Sequence, residues 1–176
     1  MKLSGTSYLS TPSGVREISY DSTTGEPFWL ICDAIETPLH EHESSALLTE
    51  LIARSIQLSL NGLPADEISV ASALEHANRQ IREHFGGNNP MAFSLLLIAR
   101  CAPCKDTGTE ELLFAGVGDI RVYEALGTSL SLLFCHPQAR SLPSALSGEE
   151  RHDRLTSALG TSPSLHVHIR RLPQQT

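Results

Sequence analysis

The sequence predicts an α+β fold in which a pair of helices lies against an antiparallel sheet. Three observations carry this: a short apolar run ending at Asp33, two consecutive helical patterns between residues 44 and 85, and a series of strand patterns after Pro90. Helices and strands that are segregated along a chain, rather than alternating, belong to α+β architectures. The 176 residues suit one domain, 1–176, long enough to bury a core without disulfide staples.

Each element has its own signal. Residues 1–15 are rich in Ser, Thr, Gly and Pro, with an alternation around Tyr8 and Leu9 that allows a ragged edge strand. Phe28 to Cys32 follows the turn signal Thr24-Gly25-Glu26-Pro27 and reads as a buried strand ended by Asp33. Ser44 or Ser45 caps a helix carrying Leu47, Leu48, Leu51, Ile52, Ser55, Ile56 and Leu58 near a period of 3.6, stopped by Asn61-Gly62. A second helix runs from about Asp66 to His84, with Ile68, Ala71, Leu74, Ala77, Asn78, Ile81 and Phe85 on one side. Gly86-Gly87-Asn88-Asn89-Pro90 ends it.

Strands follow: Met91 to Cys101, then Leu112 to Ala115 and Arg121 to Glu124 on either side of Gly116-Val117-Gly118-Asp119, then Leu130 to Cys135. Pro103 to Thr109 is a long hairpin connection, and Pro137 to Arg154 reads as loop. Leu165 to Leu172 alternates Leu165, Val167 and Ile169 against His166, His168 and Arg170, as a half-buried strand does.

Composition narrows the function. Hydrophobic residues make up 40% and charged residues 19%, a globular balance, and the longest apolar run, Leu95 to Ala99, is far short of a membrane span. A net charge of -7 repels a phosphate backbone and argues against nucleic acid; a phosphorylated partner would have to meet a local basic patch. The N-terminus lacks the apolar stretch of a signal peptide. The four cysteines lie mostly in apolar segments rather than in a disulfide framework, so a cytoplasmic chain with reduced thiols is expected.

Several metal-like patterns have plainer readings. Cys101-Ala102-Pro103-Cys104 has the spacing of half a zinc knuckle but no partner pair, and reads as ordinary cysteines at a strand end. His40-Glu41-His42-Glu43 reads as a solvated loop, and His166 with His168 as the polar face of a strand.

Four segments, in order, resemble the metal-dependent serine/threonine protein phosphatases of the PPM, or type 2C, family. Gly14 to Asp21 is similar to the family's opening motif, an arginine five residues before the aspartate of an Asn-Glu-Asp group. Leu30 to Ile35 resembles the strand that ends in Asp-Gly. Phe114 to Tyr123 resembles the Gly-Asp-Ser-Arg signature, and Leu155 to Gly160 the later leucine-glycine segment. His136 stands where the family has an Asp-His pair after a strand. The resemblance implies an antiparallel β-sandwich flanked by a helical hairpin, incomplete at the C-terminus.

It also implies a chemistry. In the family two Mn or Mg ions share bridging oxygens and a water, and the metals lower that water's pKa so that hydroxide attacks phosphorus. Carried over position by position, Asp33 bridges the ions and the Ala34 carbonyl replaces a glycine carbonyl. Asp21 holds the water shell, Asp119 sits near a weaker third metal, and Arg16 grips the substrate phosphate. Departures accompany the match. Ser19 and Tyr20 replace asparagine and glutamate, Ala34 replaces glycine, Ala92-Phe93-Ser94 stands for Gly-Thr-Thr, and Ile120 replaces serine. The chain ends at Thr176, before the family's second Asp-Gly motif and final Asp-Asn pair.

The expectation is therefore a truncated, phosphatase-like domain without a complete two-metal site, acting as a pseudophosphatase or partner-binding signalling module. The alternative is an active Mn- or Mg-dependent phosphatase completed by replacement ligands or by a partner chain. A phosphoprotein or other protein is the expected partner, and an exposed sheet edge could pair two copies into a homodimer.

Overall fold

A computed structural model describes residues 16–20, 28–35, 45–61, 63, 65–86, 92–101, 108–136 and 157–173. Strand β1 is Arg16–Tyr20 and β2 is Phe28–Ile35. Helices α1 (Ser45–Leu60) and α2 (Glu67–His84) follow, then β3 (Ala92–Arg100), β4 (Glu111–Val117), β5 (Arg121–Leu126), β6 (Ser129–Cys135) and β7 (His168–Pro173). The predicted α+β class and its antiparallel sheet with a helix pair are what the chain adopts. The proposed strand around Tyr8 lies outside the described residues.

Five strands form one sheet in the order β1-β2-β3-β4-β7, antiparallel at every pairing, while β5 and β6 form a separate hairpin. Alternation along the strands sends side chains to two cores. Phe28, Leu30 and Cys32 of β2, Phe93, Leu95 and Leu97 of β3, and Leu113, Ala115 and Val117 of β4 face the helices. There they meet Leu48, Ile52 and Ile56 of α1 and Val70, Leu74, Ala77 and Ile81 of α2. On the other face Leu96 and Phe114 pack against Phe134 of β6, with Val122 and Leu172 alongside. The Phe134 ring lies over Gly116, where an added Cβ would come within 2.8 Å of the ring, so a glycine lets hairpin and sheet approach. The hairpin covers β3, β4 and β7, and Ile31 of β2 stays exposed.

Local rules explain the helix ends. Asp66 caps α2 by accepting the Ser69 amide at 2.8 Å, and Arg82 and His84 lie in the last turn where the helix dipole favours cations. The apolar faces differ from the sequence reading. Ile68 is 79% exposed and Leu47 and Leu58 are exposed too, while Val70 and Ala73 are buried. A period of 3.6 admits either neighbouring stripe, and packing against α1, β4 and Leu159 selects the one through Val70, Ala73, Leu74, Ala77 and Ile81.

Two strand readings also shift. β1 runs through Arg16–Tyr20, where Ile18 and Tyr20 alternate with Glu17 and Ser19 in a run too short to announce a strand. β7 begins at His168, three residues later than the alternation from Leu165 suggested, because Ser157 bonds to the His166 backbone and holds that stretch out of the ladder. As an edge, β7 carries Arg170 and Arg171 and ends in Pro173, features that discourage strand addition. No described helix is long and apolar enough to cross a membrane.

Candidate functional site

Asp33 lies inside β2 rather than at its end, since the strand continues to Ile35. Cys32 points into the helix-side core, so Asp33 emerges on the opposite face, half-buried. Its register partner on β3 is Ser94. Ser94 is buried, and its hydroxyl donates to Asp119 Oδ1 at 2.7 Å while the Asp119 amide donates back to the same oxygen at 3.2 Å. Asp33, Ser94 and Asp119 thus form a row across β2, β3 and the turn after β4.

The turn is shaped for this contact. Gly118 has φ +84°, a left-handed conformation that glycine accepts without steric cost, and an added Cβ would lie 2.8 Å from Ser94 Cα. The Gly118 amide donates to the Ser157 carbonyl at 2.6 Å. Ser157 in turn donates its hydroxyl to the His166 carbonyl at 2.8 Å. Phe93 and Leu159 exchange two backbone hydrogen bonds, each 3.0 Å, so residues 157–160 are sewn to both β3 and the Gly118 turn.

Asn78, buried on α2, completes this frame. Its Oδ1 accepts the Gly160 amide at 2.8 Å and its Nδ2 donates to the Ser162 carbonyl at 2.9 Å. The Leu155 to Gly160 segment was singled out by resemblance. The described part of it, from Ser157, is a structural hub tying helix, sheet and turn together.

His136 is buried just after β6, its amide bonded to the Ile120 carbonyl at 3.1 Å and its Nε2 3.2 Å from the His166 carbonyl. Burial pushes its pKa below the usual histidine value; the His166 carbonyl opposes that, and the neighbouring His168 and His166 add to it. The His136 and His168 rings stand edge to face, with centroids 6.2 Å apart. Cys32, Cys101 and Cys135 are free and buried. Burial raises the Cys32 thiol, reinforced by the Asp33 charge and opposed by the Thr49 hydroxyl, so it is a poor thiolate source.

The other candidate residues separate. Arg16 opens β1 opposite Cys32, and Ala34 stands opposite Phe93 within β2. Asp21, Cys104, His40, His42 and the acids Glu41 and Glu43 lie outside the described residues. Sequence spacing passed over Glu17. Its register partner is Ile31, two residues from Asp33, whereas Tyr20, the last described residue of β1, pairs with Phe28 at the far end of β2. Only strand register could have shown this.

The residues described do not by themselves make the family's two-metal centre. A pair of hard divalent ions needs several oxygen donors, chiefly carboxylates. Among the described residues no three His, Cys, Asp or Glu side chains group closely enough to hold an ion, and one oxygen of Asp119 is already engaged by Ser94.

No family model matches the sequence, and no curated protein matches it. Solved structures do share the fold. PppA, "a key regulatory component of T6SS in Pseudomonas aeruginosa", is 20% identical with a TM-score of 0.56; the match covers 89% of this chain and 64% of that one. The S. agalactiae serine/threonine phosphatase is 14% identical with a TM-score of 0.65, covering 91% of this chain and 68% of that one. The PPM Ser-Thr phosphatase MsPP from Mycobacterium smegmatis is 17% identical with a TM-score of 0.53, covering 90% and 68%. The chain therefore spans 64% of PppA's length. Its fold is that of the PPM-type serine/threonine phosphatases.

Proposed function

We propose that the chain is a phosphatase-like module that binds a protein partner and lacks a complete two-metal centre. The observation that carries this reading is the clasp between Ser94 and Asp119. An aspartate whose carboxylate and amide are both tied to one serine serves to hold the Gly118 turn, and a cation at the weaker third position would have to compete with the hydroxyl for it. The replacement of glycine by Ala34 points the same way, since a side chain limits close approach of the backbone. The expected partner is a cytoplasmic phosphoprotein or another protein of a signalling pathway. The role of PppA as a regulatory component fits such a module. A homodimer formed through a sheet edge is a further form of the same reading.

A second reading has its own support. Glu17, at the register position opposite Ile31, stands on the strand beside Asp33 and could add the acid that the opening motif lacks. In that reading Asp33, with the Ala34 carbonyl, Asp21 and Asp119 in lesser roles, would hold Mn or Mg that activates a water, and Arg16 would hold the phosphate for a serine/threonine phosphatase. Calorimetric titration with manganese separates the two. The first reading expects no binding heat from the folded chain, and the second expects saturable binding that Glu17→Gln and Asp33→Asn each weaken.

A further inference from the structure

The outer side of α2 bears a long trough that plays no part in the row at Asp33. Two depressions of about 530 Å³ and 750 Å³ meet at Glu75 and Arg79. One end is apolar, with Leu63 and Ile68 exposed by 53% and 79%. At the other end Ser164 and Leu165 face Arg82 across the groove. From Ile68 to Arg82 the helix advances about 21 Å at 1.5 Å per residue.

The far wall is built in. The two hydrogen bonds of Asn78, accepting from the Gly160 amide and donating to the Ser162 carbonyl, hold the 160–165 segment against α2, so the groove exists before any partner arrives. Its charges are arranged rather than random. Glu75 comes first, the cations Arg79 and Arg82 stand one turn apart, and Glu83 closes the row. Arg79 turns toward His76, with Nη2 2.8 Å from Nδ1, and among the described residues neither Glu75 nor Arg82 forms an ion pair. In a chain of net charge -7, Arg79 and Arg82 stand as two adjacent guanidiniums between two glutamates. The flanking glutamates bring the groove near neutrality, so a bare anion gains little, while an acidic pair flanked by basic or apolar groups meets complementary charge.

We propose that this trough docks a helical segment of a partner protein that carries two acidic side chains one turn apart between apolar ends. The acids reach Arg79 and Arg82, where guanidinium and carboxylate make paired hydrogen bonds. One apolar end covers Ile68 and Leu63, and the other covers Leu165. Arg79 is exposed and Arg82 half-buried, and neither belongs to the helix-side core, so reversing them leaves that core's packing intact. Docking is independent of the chemistry at Asp33.

The test uses a labelled synthetic helix of about 18 residues, with leucines at both ends and glutamates at central positions i and i+3. A second peptide carries lysines at those two positions. Fluorescence anisotropy at low ionic strength against the full chain should show the glutamate peptide binding about tenfold more tightly than the lysine peptide, a difference worth about 1.4 kcal/mol. The double variant Arg79→Glu with Arg82→Glu should invert that order, and Ile68→Ser should weaken both peptides. Absence of binding by the glutamate peptide, or a preference unchanged in the double variant, overturns the proposal.

Discussion

Ser94 and Asp119 hold each other twice, hydroxyl to carboxylate at 2.7 Å and amide to hydroxyl at 3.2 Å, with Gly118 pressed against Ser94 between them. The pair joins β3 to the turn that starts β5, so its loss should be felt as stability. Ser94→Ala removes a buried hydroxyl with two partners and should cost about 1–2 kcal/mol. Gly118→Ala adds a Cβ at positive φ against Ser94 and should cost about 3 kcal/mol from backbone strain and overpacking together. Urea unfolding with an unchanged m-value would read both, and a Gly118→Ala variant as stable as the parent would show the turn to be looser than drawn.

Asn78→Ala leaves the Gly160 amide and the Ser162 carbonyl without their partner in the frame between α2 and the 157–162 segment. The expected loss is about 2 kcal/mol, or roughly 6 °C in melting temperature for a chain of this size. Asn78→Asp keeps the acceptor for Gly160 but loses the donor to Ser162 and buries a charge, so it should be no milder. Calorimetric melting curves of the two variants decide this.

Helix α2 offers an internal control. Leu74 is fully buried and Ile68 is 79% exposed. Leu74→Ala should destabilise by about 2–5 kcal/mol, whereas Ile68→Ser should lie within about 0.5 kcal/mol of the parent. Comparable losses at the two positions would contradict the helix face assigned here.

His136 should give the chain an acid limb at mildly low pH. Its folded-state pKa lies below the ordinary value, so the unfolded chain takes up the proton first as pH falls. Stability is complete above about pH 6.5 and declines as pH falls from there through the folded value. Asp66, whose carboxyl is lowered by its bonds to the Ser69 amide and hydroxyl, loses its stabilising contribution in a separate window below about pH 3.9. Denaturation midpoints measured from pH 7.5 down to pH 5 should therefore fall in the parent and flatten in His136→Gln, whose side chain does not titrate there.

Much of the fold was legible because it is written in local signals. Asp66 marks a cap and Gly86 with Pro90 a stop, and the apolar runs around Leu97 and Phe114 mark central strands. What stayed hidden depends on partners distant in the chain. Asp33 reads as the end of an apolar run, yet it is the outward-facing member of a continuing strand, a distinction that appears only once Ser94 lies opposite. Motif spacing points to Asp21, and it is the pairing of β1 with β2 that puts Glu17 nearer Asp33 than the end of β1. Asn78 passes for one more position on an apolar helix face until its bonds to residues 160 and 162 are seen. Fold resemblance found the segments that matter, while register and side-chain pairing determine what each segment is for.

The proposed function holds that Asp33, Ser94 and Asp119 lie in a phosphatase-like fold without a working two-metal centre. Hydrolysis of p-nitrophenyl phosphate with millimolar manganese, comparing the folded chain with its Asp33→Asn variant, tests it most directly. The account predicts no turnover above the uncatalysed rate in either protein. Manganese-dependent turnover in the parent that disappears in Asp33→Asn would contradict it and establish a working metal centre around Asp33.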